Sequence, residues 1–197
     1  MTIVPFVPQV DSSDKKDKMS FYVKTVPDDP NSDQAKVYVM QFDLGGPEDV
    51  LHFVDEFYNL MEMKRLLENG PALFQHARLL LQGDAREKFA EHRNDLLGNA
   101  PTEEDETPEN FRAVLDLLLR SILPVRAGEK IKKELCKVKK PMMMTVTNFV
   151  ARLRKLNKFI TYCPGDVPEL RSDELQVILE QAVPSGWRSD LLKLHYT

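Results

Sequence analysis

Two cysteines in 197 residues, Cys136 and Cys163, stand far apart and in no CxxC or CxxxC pattern, which leaves no basis for a disulfide framework or a zinc site. So sparing a use of thiols reads as a cytosolic chain with reduced cysteines. No apolar run approaches the roughly 18 residues of a membrane span, so no membrane partner is expected. The opening MTIVPFVPQV holds two prolines and no basic n-region, unlike a signal peptide. A basic excess is also missing. The formal charge of -4 argues against a surface devoted entirely to nucleic acid.

Catalytic patterns are equally scarce. The histidines are His52, His76, His92 and His195, and none stands in HExxH or beside a GxSxG turn or a recognisable Cys-His pattern. GGPEDV lacks both the spacing and the lysine of a phosphate loop, and Asp11-Ser12-Ser13 lacks the glycine of an aspartic-protease motif. The expectation is a protein that is not an enzyme and takes no cofactor or metal.

What is present is globular: 42% hydrophobic and 29% charged residues, with length enough for a real core. Residues 1–19 end in the charged DSSDKKDKM and read as a flexible segment. FYVKTV (21–26) and KVYVMQF (36–42) alternate apolar or aromatic residues with others around the turn-rich PDDPNSDQA, so residues 20–45 are expected to form a β-hairpin. Pro47-Glu48-Asp49 opens a helix striped by Val50, Phe53, Val54, Phe57, Leu60 and Met61. Asn69-Gly70 reads as its stop, and Pro71 as the start of a second helix that ends near Gly83. DAREKFAEHRNDLL is a third, with a thin apolar face. Thr107-Pro108-Glu109 starts a fourth, which Pro124 stops.

From there the composition shifts. Ala127 to Val138 reads as a basic helix, KKPMMM breaks it, and TVTNFVARLRKLNKFI carries one continuous stripe of Val146, Phe149, Val150, Leu153, Leu156, Phe159 and Ile160. Ser172-Asp173-Glu174 opens a helix through Ala182, and Pro184 starts a last one with Trp187, Leu191 and Leu192. The methionines at 142–144 read as a loop tucked against the next helix, or as a flexible apolar contact surface. Charge is uneven too. Seven basic residues against two acids lie between Arg126 and Lys140, and Glu103, Glu104, Asp105, Glu106 and Glu109 form an acidic knot upstream. Both read as solvated surface, with contact to a polyanion as the alternative for the basic stretch.

Four segments in order carry a resemblance over roughly residues 72–194: ALFQHARLLLQGDAREKF, ENFRAVLDLLLRSILP, IKKELCKVKKPMMMTVTNFVARLRKL and SDELQVILEQAVPSGWRSDLLKL. Together they resemble the capsid region of Gag proteins from long-terminal-repeat retrotransposons. Leu81-Gln82-Gly83-Asp84-Ala85 looks like the family's Leu-x-Gly-x-Ala turn between two N-lobe helices. The segment Thr145, Val146, Phe149, Val150, Arg152, Leu153 resembles the core motif of the C lobe, related to the retroviral major homology region. That region's Gln, Gly and Glu would fall near Lys140, Pro141 and Met144 and are missing, which makes the lobe resemble the retrotransposon form. Leu179, Pro184 and Trp187, with looser spacing, resemble the lobe's end.

The resemblance implies a mainly α, two-lobed helical capsid preceded by a short β-hairpin, with an N-terminal lobe at 46–125 and a C-terminal lobe at 126–197. It implies a structural protein that assembles with copies of itself into cytoplasmic virus-like particles around the element's RNA. Phe57, Met61, Trp187 and Leu191 are the residues expected at assembly interfaces. RNA would be held mainly by a basic tail or a Cys-Cys-His-Cys knuckle outside this sequence, with Lys130, Lys132, Lys133, Lys137, Lys139 and Lys140 as possible polyanion contacts. The alternative function is that of a domesticated Gag domain that binds partner peptides through its N lobe.

Overall fold

The computed structural model describes residues 18–26, 31–43, 45–165 and 167–182. They are mainly helical, with one antiparallel hairpin, and cluster into two compact units that divide between Pro124 and Val125.

In the N-terminal unit, β1 (Lys18–Lys24) pairs with β2 (Gln34–Met40). Their alternation sends Phe21, Val23 and Val39 into the core. A two-stranded hairpin needs support. It has it from α1 (Pro47–Met63), where Glu56 Oε2 accepts the Met40 N–H at 3.0 Å. Beyond the hairpin, Phe42 makes a parallel bridge to Leu81 that periodicity does not announce. The Phe42 N–H donates to the Leu80 carbonyl (2.9 Å), and the Gln82 N–H to that of Phe42 (2.8 Å).

Helix α1 begins at Gly46-Pro47, where Asp49 Oδ2 accepts the Gly46 N–H. It ends earlier than Asn69-Gly70 suggests. Arg65, at φ 56°, occupies the left-handed position where glycine is usual, and the Leu66 and Arg65 N–H groups return to the Met61 and Glu62 carbonyls. Asn69-Gly70 is therefore a start rather than a stop: Asn69 Oδ1 accepts the Ala72 N–H (3.0 Å) as N-cap of α2 (Gly70–Leu80). Gly70 is required there for a second reason. A Cβ on it would stand 1.7 Å from the Glu106 carbonyl oxygen.

Helix α3 (Gly83–Leu97) buries only Ala85 and Phe89, in keeping with its thin apolar face. Helix α4 (Pro108–Ile122) is capped by Thr107, whose Oγ1 accepts the Asn110 N–H. The core that joins α1 to α4 is aromatic. Phe111 stacks on Phe57 at 5.4 Å and meets Phe74 edge-on at 5.3 Å, with Phe89 at 6.1 Å, geometries that aromatic pairs favour.

The C-terminal unit holds α5 (Ala127–Leu135), α6 (Val146–Ile160) and α7 (Ser172–Ala182). Helix α6 is central, packing on both α5 and α7. Phe149, Leu153, Leu156, Phe159 and Ile160 are buried, whereas Val146 and Val150 at the stripe's margin are half-buried. Asn157 is the buried exception to the stripe. Its Nδ2 donates to the Leu170 carbonyl (2.9 Å) while its Oδ1 accepts the Leu170 N–H (2.8 Å). One amide side chain thereby satisfies both polar groups of a buried backbone position and pins the chain before α7 to α6.

Candidate functional site

The Leu-x-Gly-x-Ala turn has a physical account in this fold. Leu81 is buried by its bridge to Phe42, and Ala85 is buried one helical turn on. Gly83 sits at φ +45°, and a Cβ on it would meet the Asp43 carboxylate at 2.2 Å. Asp43 Oδ1 in turn accepts the Asp84 N–H (3.1 Å) at the positive end of α3. The turn thus joins the segment after the hairpin to two helices.

In the C-terminal unit the six-residue motif divides its work. Thr145 is exposed and caps α6 through Oγ1, which accepts the Asn148 N–H. Phe149 and Leu153 are buried, while Val146, Val150 and Arg152 are half-buried. Before α6, Lys140 fills the turn. Its ammonium donates to the Pro141 carbonyl (2.9 Å) and to that of Met144.

That role alters the expected polyanion surface. Lys139 Nζ donates to the Gln181 carbonyl (3.1 Å), and the Lys140 N–H donates to that of Ala182 (3.0 Å), so this corner closes on the negative end of α7. Lys132 Nζ reaches the Pro168 carbonyl at 3.4 Å. Only Lys130, Lys133 and Lys137 of the six remain exposed without such a carbonyl contact.

Two of the four residues expected at assembly interfaces lie in the core. Phe57 and Met61 are 1% and 0% exposed. They face the phenylalanine core, because α1 turns its whole stripe inward, and offer nothing to a second copy. Trp187 and Leu191 lie outside the described residues. The methionine loop corrects in the opposite sense: Met142 and Met143 are 92% and 93% exposed rather than tucked against α6.

Nor is the acidic knot wholly solvated. Glu106 is buried, and its Oε1 accepts from Arg78 Nη2 and from both Arg93 Nη2 and, at 2.9 Å, Arg93 Nε. Arg93 also lies over the Phe74 ring, at 5.7 Å. Asp105 does stay exposed, and its bonds from the Thr102 N–H and hydroxyl hold its carboxyl below the usual range. Sequence reasoning missed Glu106 because its two cationic partners come from different helices, 28 and 13 residues away.

Among the described residues, no group of three or more His, Cys, Asp or Glu side chains converges as metal ligands would. His76 works structurally: its Nδ1–H donates to the Ala72 carbonyl (2.8 Å), and its ring lies 5.7 Å from Phe21 of the hairpin. Burial lowers its pKa below 6.5, the bond to Ala72 opposes this, and the Lys64 charge adds to the lowering. The unfolded chain therefore takes up this proton more readily. Stability from neutral His76 is present in full above pH 6.5 and is lost as pH falls toward the folded value. Chemical denaturation from pH 7.5 to 5 is expected to show that loss, and His76→Gln to flatten it.

Burial pushes the Cys163 thiol up to about 11, and its Sγ–H donates to the Phe159 carbonyl, whereas Cys136 is exposed. Maleimide at neutral pH is expected to label one thiol per native chain and both after denaturation, as read by intact mass. Two labels on the native chain would contradict the burial of Cys163.

Comparison with family models, curated proteins and solved structures returns no match. Among the described residues no helix is long and apolar enough to cross a membrane.

Proposed function

We propose that the chain is the capsid protein of a long-terminal-repeat retrotransposon: a Gag-like structural protein, not an enzyme, whose copies assemble in the cytoplasm into virus-like particles that package the element's RNA. The observation that carries this reading is the order of four family-like segments along the sequence, two on each side of Pro124. The division of the contacts between Pro124 and Val125 is consistent with separate N and C lobes.

Assembly of this kind needs weak, repeated contacts built on apolar surface left uncovered in each copy. With Phe57 and Met61 taken up by the core, Met142 and Met143 are the better candidates in the C lobe. Methionine suits the role because its unbranched thioether adapts to the partner surface. Trp187 and Leu191 remain candidates from sequence, tryptophan being enriched at interface hot spots.

Electron microscopy of the purified chain after raising salt and concentration tests the reading. Tubes or closed shells are expected, with loss of assembly on Trp187→Ala or on Met142→Ser with Met143→Ser. A chain that stays monomeric throughout, with Trp187→Ala making no difference, would overturn it.

A further inference from the structure

Two tyrosines that no core uses stand on the outer face of the hairpin. Tyr22 pairs with Lys36 and Ser20 with Tyr38, so Lys18, Ser20, Tyr22 and Lys24 share a face with Gln34, Lys36, Tyr38 and Met40. Phe21, Val23 and Val39 occupy the opposite, buried face. Tyr22 and Tyr38 are each 60% exposed. As diagonal neighbours across the pair they stand roughly 7–8 Å apart.

The charges on this face have one sign. Lys18, Lys24 and Lys36 lie on it with no acid among its eight residues, and none of the three is held in an ion pair among the described residues. Lys36 Nζ lies 5.3 Å from the centre of the Tyr38 ring. In sequence, Asp17 adjoins Lys18, Asp43 follows Met40 by three residues, and Asp28, Asp29 and Asp33 lie between the two strands.

Exposed rings at this spacing, interleaved with lysines, suit a partner that is both flat-ringed and polyanionic. Single-stranded nucleic acid is such a partner, because each unpaired base offers a face for stacking while its phosphates meet ammonium groups. A duplex keeps its bases stacked inside and cannot use the tyrosines. We propose that the outer face of this hairpin binds single-stranded RNA, with one base stacked on Tyr22, a neighbouring base on Tyr38, and Lys18, Lys24 and Lys36 on the phosphates. The surface supplies an RNA contact that the capsid reading assigns to a module outside this sequence. It rests on the hairpin alone and can fail while that reading stands.

The test is fluorescence anisotropy of a labelled oligouridylate with the full chain, at concentrations where sedimentation shows a monomer. Affinity is expected to fall with salt at a log–log slope of about 2, from three phosphate contacts on a single strand. Tyr22→Thr with Tyr38→Thr, which keeps strand propensity, is expected to weaken binding by about tenfold or more, and the corresponding phenylalanine pair to retain it. Lys36→Glu should lower the slope by about 1 and serves should the threonine pair lose the far-ultraviolet signature of the fold.

Wild-type affinity in a folded threonine pair would overturn the proposal. So would duplex RNA competing as well as single strands, or loss of RNA binding only on changing Lys130, Lys133 and Lys137. Binding of anionic lipid vesicles in place of RNA, with the same tyrosine dependence, would also overturn it. Electron microscopy of the unaltered chain separates the two readings: particles that form although the hairpin face binds no single strands sink this proposal and spare assembly.

Discussion

Glu106→Ala is expected to cost the N-terminal unit about 3 kcal/mol or more, the range for removing one partner of a buried charge network. The magnitude comes from the arginines left behind. The Arg93 side chain is 16% exposed, with Phe74 against its guanidinium, so most of its charge would lose the Glu106 carboxylate without regaining water. Arg78, at 43% exposure, can turn outward and contributes less. Urea denaturation followed by circular dichroism gives the loss directly.

A companion variant distinguishes charge from shape. Glu106→Leu with Arg93→Met removes both buried charges while keeping their bulk, and is expected to recover most of the stability. If the double variant is as unstable as Glu106→Ala, the network matters for its geometry beside Gly70 rather than for its charge balance.

The second large effect is in the C-terminal unit. Phe149→Ala is expected to cost about 3 to 5 kcal/mol, as for other fully buried phenylalanines. Phe149 is 0% exposed on a helix that packs against both α5 and α7, so the vacated space lies on the central one of the unit's three described helices. Hydrogen exchange of α6 amides should accelerate by the corresponding factor, and assembly is expected to fail with it. A Phe149→Ala chain that keeps native protection and still forms particles would remove Phe149 from the position assigned to it.

Periodicity is local, and what it could announce was local. The stripes of α1, α4 and α6 follow from apolar residues spaced three and four apart, and Thr107 and Thr145 cap because a short hydroxyl side chain reaches the N–H three residues on. Alternation in the two strands told which of their faces is buried. Asn69-Gly70 shows where local signals are ambiguous. Both residues are turn formers, and only the closure of α1 at Arg65 makes Asn69 a cap rather than a terminator.

Tertiary structure decided the rest, because burial depends on what arrives from elsewhere in the chain. Glu106 looks like one acid in a solvated run until Arg78 and Arg93 converge on it. Asn157 looks like a polar interruption of the stripe until Leu170 presents its backbone to it. Phe57 and Met61 look like any edge of an amphipathic helix until β2 and α4 pack on α1, while Met142 and Met143, no less apolar, are left outside. Sequence by itself determined a mainly helical chain, its hairpin and the order of its segments, since each rests on spacing along the backbone. Which side chains are left for a partner was decided only by folding, since the same apolar stripe serves a core or an interface according to what packs against it.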